Sequence, residues 1–250
     1  MNERATISIV TATYNAVDVL PELVASLRAQ TDQDFEWVVA DGASTDGTLD
    51  LLCSIKDLNL KIVSQEDFGI YDALNRGIKA SSGDYYLVVG ADDGLYPEAI
   101  SIYRESLTAN ADFVTASVSF DGHVKTAGRG SAWRVGQFAY FSSHAVGVLI
   151  NRALHDKFGF YSRRYPIAAD QLFLLAAIKG GSTITVSRKV VGYFGTGGLS
   201  SYDLLGSITE LYRVQVQVGH NVIGQTILCC ARLAWYSLKL LRARGWPAAS

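Results

Sequence analysis

The stretch DYYLVVGADDG, residues 84–94, runs from aromatic and β-branched residues straight into two adjacent carboxylates, Asp92 and Asp93, followed at once by Gly94. A short apolar run bounded by Asp and Gly is the pattern of a buried strand that ends in a turn. Like charges side by side raise each other's pKa unless something neutralises them. Successive strand residues point to opposite faces, so both acids reach one ligand only where the backbone turns, which Gly94 permits. A divalent ion such as Mg²⁺ is commonly held by one or two carboxylates plus substrate phosphates. Two acids are too few for a closed metal cage and enough if a diphosphate supplies the remaining oxygens. Asp and Gly are also ordinary turn residues, so the pair by itself reads equally as a turn.

Working outward, TISIVTAT (6–13), FEWVVADG (35–42) and LKIVSQ (60–65) read as three earlier strands. Helical spacing over about 17–30, 48–56, 70–80 and 97–107 places a helix after each strand. This alternation predicts an α/β fold, a mostly parallel sheet covered by helices. Ligands of such sheets bind beyond the carboxyl ends of the strands. The polar clusters fall there: Thr13 and Asn15 past the first strand, Asp41, Ser44 and Asp46 past the second, Asp67 past the third, Asp92 and Asp93 past the fourth. Asp41 is placed to accept from a nucleobase N–H or a ribose hydroxyl, whereas Asp46 suits a cap on the next helix. In EDFGIYDALNRGI (66–78), Arg76 lies on the polar side of the helix, within reach of a phosphate or an acidic partner.

The second half is less regular. A hairpin is expected around Asp121-Gly122, a loop over 133–144, a strand over 145–151, a helix over about 170–179, and short strands before the Gly-rich GTGGLSS (195–201). Two long helical patterns follow. In the last, NVIGQTILCCARLAWYSLKLLRARG (221–245), Arg232 interrupts an otherwise apolar run, and Gln225, Arg232 and Lys239 recur every seven residues. A charge there disfavours a membrane span. The pattern fits a helix lying on a membrane surface, or one packed on the domain or on a second subunit of a homo-oligomer.

The 250 residues carry 22 Lys and Arg against 24 Asp and Glu, a net charge of -2. That balance excludes the basic excess of a nucleic-acid-binding domain. Cys53, Cys229 and Cys230 lack metal-ligand spacing and are too few for a disulfide framework, as expected of reduced thiols in a cytoplasmic protein. The first residues, MNERATISIV, show no signal-peptide layout.

In order, SIVTATYNAVDVLPELVASLRAQT, WVVADGASTDGT, DFGIYDALNRGI and GADD resemble the motif series of family 2 glycosyltransferases of the GT-A fold, especially the single-transfer enzymes of bacterial surface polysaccharides. The resemblance spans about residues 5–200. It implies a GT-A domain over 1–202, with its nucleotide-binding part about 1–110 and its acceptor part about 111–202, and a helical extension over 203–250. It further implies that Thr13, Asn15, Asp41, Arg76 and Asp92 line a nucleotide pocket, that the base is most often uracil, and that Asp93 binds Mn²⁺ or Mg²⁺. Asp170 takes the position of the base that deprotonates the acceptor hydroxyl. Asp67, His144 and Ser200 are candidate contacts to donor or acceptor. The chain departs from the family pattern at Ala169, Leu172 and Ala176 or Ala177, where relatives carry an acid, an acid and an Arg, and at Ala145, where Gln is usual.

The implied activity is inverting transfer of one sugar from a nucleoside-diphosphate sugar, a UDP-sugar above all, to a glycan or lipid-linked acceptor at the cytoplasmic face of the membrane. No Gln-x-x-Arg-Trp motif of the processive members occurs. An inactive relative serving as a scaffold would share the fold; a sugar nucleotidyltransferase would instead carry a Gly-rich basic loop after the first strand, which TATYNA (11–16) is not. An acid that opens a helix also suits an N-cap, the competing role for Asp170.

Overall fold

The computed structural model describes residues 4–108, 111–195 and 203–243. Strand β1 (Ile7–Thr13) leads through α1 (Leu20–Arg28) to β2 (Glu36–Asp41), and α2 (Thr48–Ser54) leads to β3 (Leu60–Ser64). Helix α3 (Ile70–Ala80) returns to β4 (Tyr85–Val88). These four strands are parallel, in the order β3-β2-β1-β4. Chain order therefore reverses beside β1, and the ends of β1 and β4 form the switch point at which open α/β sheets bind ligands.

A two-residue β5 (Gly94–Leu95) and α4 (Ala99–Ser106) precede the hairpin β6 (Phe113–Phe120) and β7 (His123–Lys125), which turns at Asp121-Gly122 as its sequence indicates. The 133–144 segment is not plain loop: α5 (Ala132–Val135) and a 3₁₀ turn (Gly136–Ala139) lie in it. Next come β8 (Val148–Asn151), α6 (Leu154–Phe158) and α7 (Ala169–Lys179). The expected short strands are one ten-residue strand, β9 (Ile184–Tyr193), whose irregular register on β6 hides it from a period-2 reading. Strand β8 runs antiparallel between β4 and β6, so the sheet is parallel in its first half and mixed beyond β4.

The sheet separates two apolar layers. One joins α1 and α4 to residues such as Ile9, Trp37, Val39 and Leu87; the other joins α3 and α7 to Val10, Tyr86, Val88 and Phe113. Helix α3 lies close on β1 because Gly77 has no side chain: a Cβ there would meet Val10 Cγ1 at 2.6 Å. That approach carries the N-terminal half of α3 over the strand ends, where its polar side chains matter.

Helices α8 (Leu204–Gln217) and α9 (Val222–Ala243) close the described chain. The seven-residue polar stripe of α9 faces inward over its first part. Gln225 is buried and donates to Trp133 O at 2.7 Å, and the Arg232 guanidinium donates to Arg134 O. Val222, Ile223, Ile227, Trp235 and Leu238 consequently point outward and are exposed. Among the described residues no helix is long and apolar enough to cross a membrane. The expected boundary at 202/203 and Ser200 both fall outside the described residues.

Candidate active site

Asp41 closes β2 with its carboxylate fully occupied. Oδ1 accepts from Thr13 Oγ1 (2.9 Å) and Ser44 Oγ (2.5 Å), and Oδ2 from Ser44 N (2.9 Å) and Ser64 Oγ (2.9 Å). Burial pushes its pKa up, but these donors outweigh burial and hold it below the ordinary carboxylate value. Asn15 sits at φ 48, a left-handed conformation that Asn tolerates. Its Oδ1 accepts from Thr45 N and its own N–H donates to Ser44 Oγ, both 2.9 Å. Asp46 accepts from Val17 N, Thr48 N and Thr48 Oγ1, so the loops after β1 and β2 are laced together.

Arg76 rises from α3 under this lacing. Its Nη2 donates to Asp41 O at 2.7 Å and lies 3.6 Å from Asp67 Oδ2. Its Nε and Nη1 are buried and have no partner among the described residues. Buried guanidinium donors without acceptors are costly, and they mark a place where an anion would be favoured. Gly42 lets the Asp67 carboxylate pack against the backbone beside it, since a Cβ would lie 2.7 Å from Asp67 Oδ2.

Past β4, Asp93 is buried, with Oδ2 accepting from Gly90 N (2.8 Å) and Oδ1 from Gly195 N (3.0 Å). Burial is the main cause, aided by the charge of Asp92, that raises its pKa to about 6 despite those two donors. Gly90 and Gly195 enclose the pair closely: a Cβ at Gly90 would come within 2.7 Å of Asp93 Oδ2 and 3.2 Å of Asp92 Oδ1, and one at Gly195 would clash with Asp92. No cluster of three or more His, Cys, Asp or Glu suited to a metal occurs among the described residues. The donor set thus matches an ion held by two acids and completed by ligand oxygens, and a cation would relieve the cost of ionising Asp93.

Asp170 is buried on the first turn of α7. It does not cap that helix: its Oδ1 accepts from Tyr71 OH (2.6 Å) and its Oδ2 from Gln137 Nε2 (3.3 Å). At the start of α7 the N-cap N–H, that of Ala168, and the N–H of Ile167 just before it are met by Glu210 of α8, whose Oε2 accepts from both at 2.9 Å. Another side chain does the capping, and Asp170 keeps its carboxylate for the cleft. His144 Nδ1 lies 3.8 Å from Asp170 Oδ2. The segment carrying His144 crosses the end of β4, where Val146 N donates to Val88 O at 2.8 Å. The segment next to Asp170 thus meets the end of β4, the strand after which Asp92 and Asp93 follow.

Sequence reasoning passed over Tyr71, Gln137, Ser64 and Glu210. Tyr71 stands one residue before Asp72 in the quoted GIYDALN, and its helical spacing from Asn75 was the available signal; the others sit in segments with no periodicity linking them to the site. A surface hollow of about 540 Å³ lies at the opposite sheet edge, lined by Lys79, Asp84, Arg152, His155 and Phe160 among others. The convergent acids and the buried Arg76 donors lie at the carboxyl edge, which is where this architecture binds ligands.

A four-stranded parallel half with its switch point at β1/β4, continued by a mixed half that brings an acid against it, is the architecture of a GT-A glycosyltransferase. The chain belongs to glycosyl transferase family 2, whose model matches residues 8–166. It is 31% identical over 209 residues to a PGL/p-HBAD biosynthesis glycosyltransferase of Mycobacterium bovis, covering 78% of each chain. An uncharacterized glycosyltransferase of Mycobacterium tuberculosis is 29% identical over 220 residues, covering 81% of this chain and 79% of its own. In fold the chain is similar to residues 1–349 of S. aureus TarS in complex with UDP-GlcNAc, with a TM-score of 0.68 at 20% identity over 91% of this chain and 71% of that one. It is equally similar to the mannosyltransferase PcManGT of Pyrobaculum calidifontis in complex with GDP-Man and Mn²⁺, with a TM-score of 0.68 at 18% identity over 92% and 70%.

Proposed function

We propose that this glycosyltransferase moves one sugar, with inversion, from a nucleoside-diphosphate sugar to a hydroxyl of a glycan or lipid-linked acceptor in bacterial surface polysaccharide synthesis. A UDP-sugar is the favoured donor. The observation that carries the reading is the buried Asp170, freed from capping by Glu210 and held by Tyr71 and Gln137 beside the strand end that bears Asp92 and Asp93. The base of the donor lies toward Thr13, Asn15 and Asp41, and Arg76 offers its buried donors to phosphate oxygen. Asp93, with Asp92 beside it, is the holder for Mn²⁺ or Mg²⁺. Such an ion supplies electrostatic stabilisation of the charge that grows on the departing diphosphate. Asp170 accepts the proton of the acceptor hydroxyl as that oxygen attacks the anomeric carbon from the side opposite the diphosphate.

A thermal-shift screen of nucleoside diphosphates with and without Mn²⁺ tests this assignment, because a ligand bound only by the folded state raises the melting temperature by mass action. The largest rise is expected from UDP with Mn²⁺, and a chain indifferent to every nucleotide would refute the donor site.

The same reading places the protein on the inner face of a membrane, through α9. The outward apolar side chains, with Lys239, Arg242 and Arg244 in the sequence near the end of α9, suit the interface of an anionic bilayer. The full chain is expected to float with phosphatidylglycerol vesicles, and the double variant Ile227→Glu, Leu238→Glu to stay at the bottom of the gradient. Equal flotation, or a dimer that the variant splits, would overturn the lipid assignment.

A further inference from the structure

Behind Asp170 a line of buried side chains leads into the second apolar layer, and its protons can be placed one by one. His155 Nδ1 lies 3.0 Å from Gly159 O. A carbonyl only accepts, so Nδ1 carries the hydrogen. Burial drives the His155 pKa down to about 4, so the ring is neutral and its Nε2 is an acceptor. Tyr86 OH, 2.8 Å from that Nε2, must therefore donate to it. Tyr86 has no second hydrogen, so across the 2.8 Å contact with Tyr161 OH it is Tyr161 that donates. Tyr161 has then spent its own hydrogen, and at 2.7 Å His144 Nε2 must donate to it. The neutral His144 ring is left with its lone pair on Nδ1, the atom that faces Asp170 Oδ2 at 3.8 Å. Reversing any of these four hydrogen bonds puts two lone pairs or two hydrogens face to face in a buried contact, whereas the 3.8 Å between His144 Nδ1 and Asp170 Oδ2 lies beyond hydrogen-bond distance.

On the reading that Asp170 is the base, we propose that His144 Nδ1 is a second proton station, receiving from Asp170 the proton taken from the acceptor hydroxyl. The balance is simple. The acceptor O–H bond breaks as its oxygen bonds to the anomeric carbon, and the bond from that carbon to the diphosphate oxygen breaks with its electron pair leaving on the diphosphate. The proton rests on Asp170 and then passes to the Nδ1 lone pair. Asp170 is a carboxylate again beside an imidazolium, whose Nε2–H still donates to Tyr161. The proton returns to solvent when the products leave. Catalytic hydrogen bonds are often long before substrate binds and tighten in the substrate complex, so 3.8 Å without substrate is compatible with the transfer. The titratable groups facing His144 are Asp170 from α7, Tyr161 from the segment after α6 and, one ring further on, His155 from α6. Burial lowers the His144 pKa below its ordinary 6.5, against the opposing pull of Asp170, so the station is empty at neutral pH.

Three measurements test the station. Ring ¹⁵N shifts of the labelled protein at pH 7 are expected to show His155 protonated at Nδ1 and His144 at Nε2; a His144 protonated at Nδ1 overturns the proposal. His144→Gln keeps a donor for Tyr161 but has no basic nitrogen. Its kcat is expected to fall at least tenfold with the donor KM held, and the lower limb of the kcat pH profile to change shape as it loses the part caused by the filled station, leaving only the part set by the base itself. Tyr161→Phe keeps the ring and removes the acceptor of the His144 Nε2–H, so the His144 tautomer should move to Nδ1–H and kcat should fall as in His144→Gln. Unchanged kcat and pH profile in His144→Gln, or an unmoved tautomer in Tyr161→Phe, refutes the station. Failure of the underlying reading looks different: Asp170→Asn would then turn over normally, whatever the ring nitrogens report.

Discussion

Asp170→Asn is expected to lower turnover by roughly 10²–10⁴-fold, the usual contribution of a positioned base, while nucleoside diphosphate binding stays at the wild-type level. The substitution keeps the shape of the side chain, and Tyr71 OH can still donate to the amide oxygen in place of Asp170 Oδ1. The two hydrogen bonds from Ile167 N and Ala168 N to Glu210 are untouched by the change, so the N-cap of α7 is kept. Stability and ligand binding therefore act as internal controls: single-turnover rates report the chemistry, and the nucleotide-induced melting shift reports the donor site. A variant with full turnover would remove Asp170 from the mechanism. A variant that binds donor but transfers nothing would also dispose of a scaffold role for the wild-type chain, since a scaffold has no turnover to lose.

The second large effect is expected at Asp93. In Asp93→Asn, the Mn²⁺-dependent part of nucleotide binding should vanish and transfer should fall by at least ~10²-fold, the scale on which charge-stabilising groups act. The fold itself should barely notice. Raising a carboxyl from the ordinary 3.8 to about 6 corresponds to about 3 kcal/mol spent on keeping the buried group ionised at neutral pH. The amide removes that cost. It also turns an NH₂ toward one of the two backbone donors, Gly90 N or Gly195 N, which costs about 1–3 kcal/mol. The two terms are of similar size and opposite sign. Calorimetry of the metal-free variant should thus give a melting temperature near wild type, and a collapse of stability would mean that Asp93 holds the loops together instead of serving a ligand.

The parallel half of the fold was legible because each strand is a dense apolar run ended by Asp, Asn or Gly, and because each helix keeps one apolar face. Helix α3 follows its periodicity from Ile70 to Ala80 without adjustment. Strand β9 was not legible as a single element. Its ten residues include Ser187, Arg188 and Lys189, the last two adjacent and both exposed, along an irregular ladder, and no alternation survives that. The acids Asp41, Asp92, Asp93 and Asp170 could be picked out from strand ends, a helix start and a family resemblance. Their partners could not: Glu210 lies 40 residues beyond Asp170, and Gln137 in a 3₁₀ turn that has no sequence signature. The inward turn of the polar stripe on α9 was equally hidden, since a helical wheel ranks faces by polarity and cannot see that backbone carbonyls at Trp133 and Arg134 wait for Gln225 and Arg232.

Helix α3 touches three parts of the cleft at once. Tyr71 holds Asp170, Asn75 exchanges two hydrogen bonds with the backbone of Tyr161, and Arg76 holds the end of β2. Tyr71 and Arg76 are five residues apart, about 7.5 Å along the axis at 1.5 Å per residue. The spacing between the end proposed to deprotonate the acceptor and the end proposed to hold the anion is thus ruled off by a rigid bar and not by a pliable loop. Loops at the rim can be rebuilt to admit a different sugar without disturbing that interval. Adding a single residue inside the bar would swing one end by about 100° relative to the other, and no rebuilt rim could bring the two ends back into line.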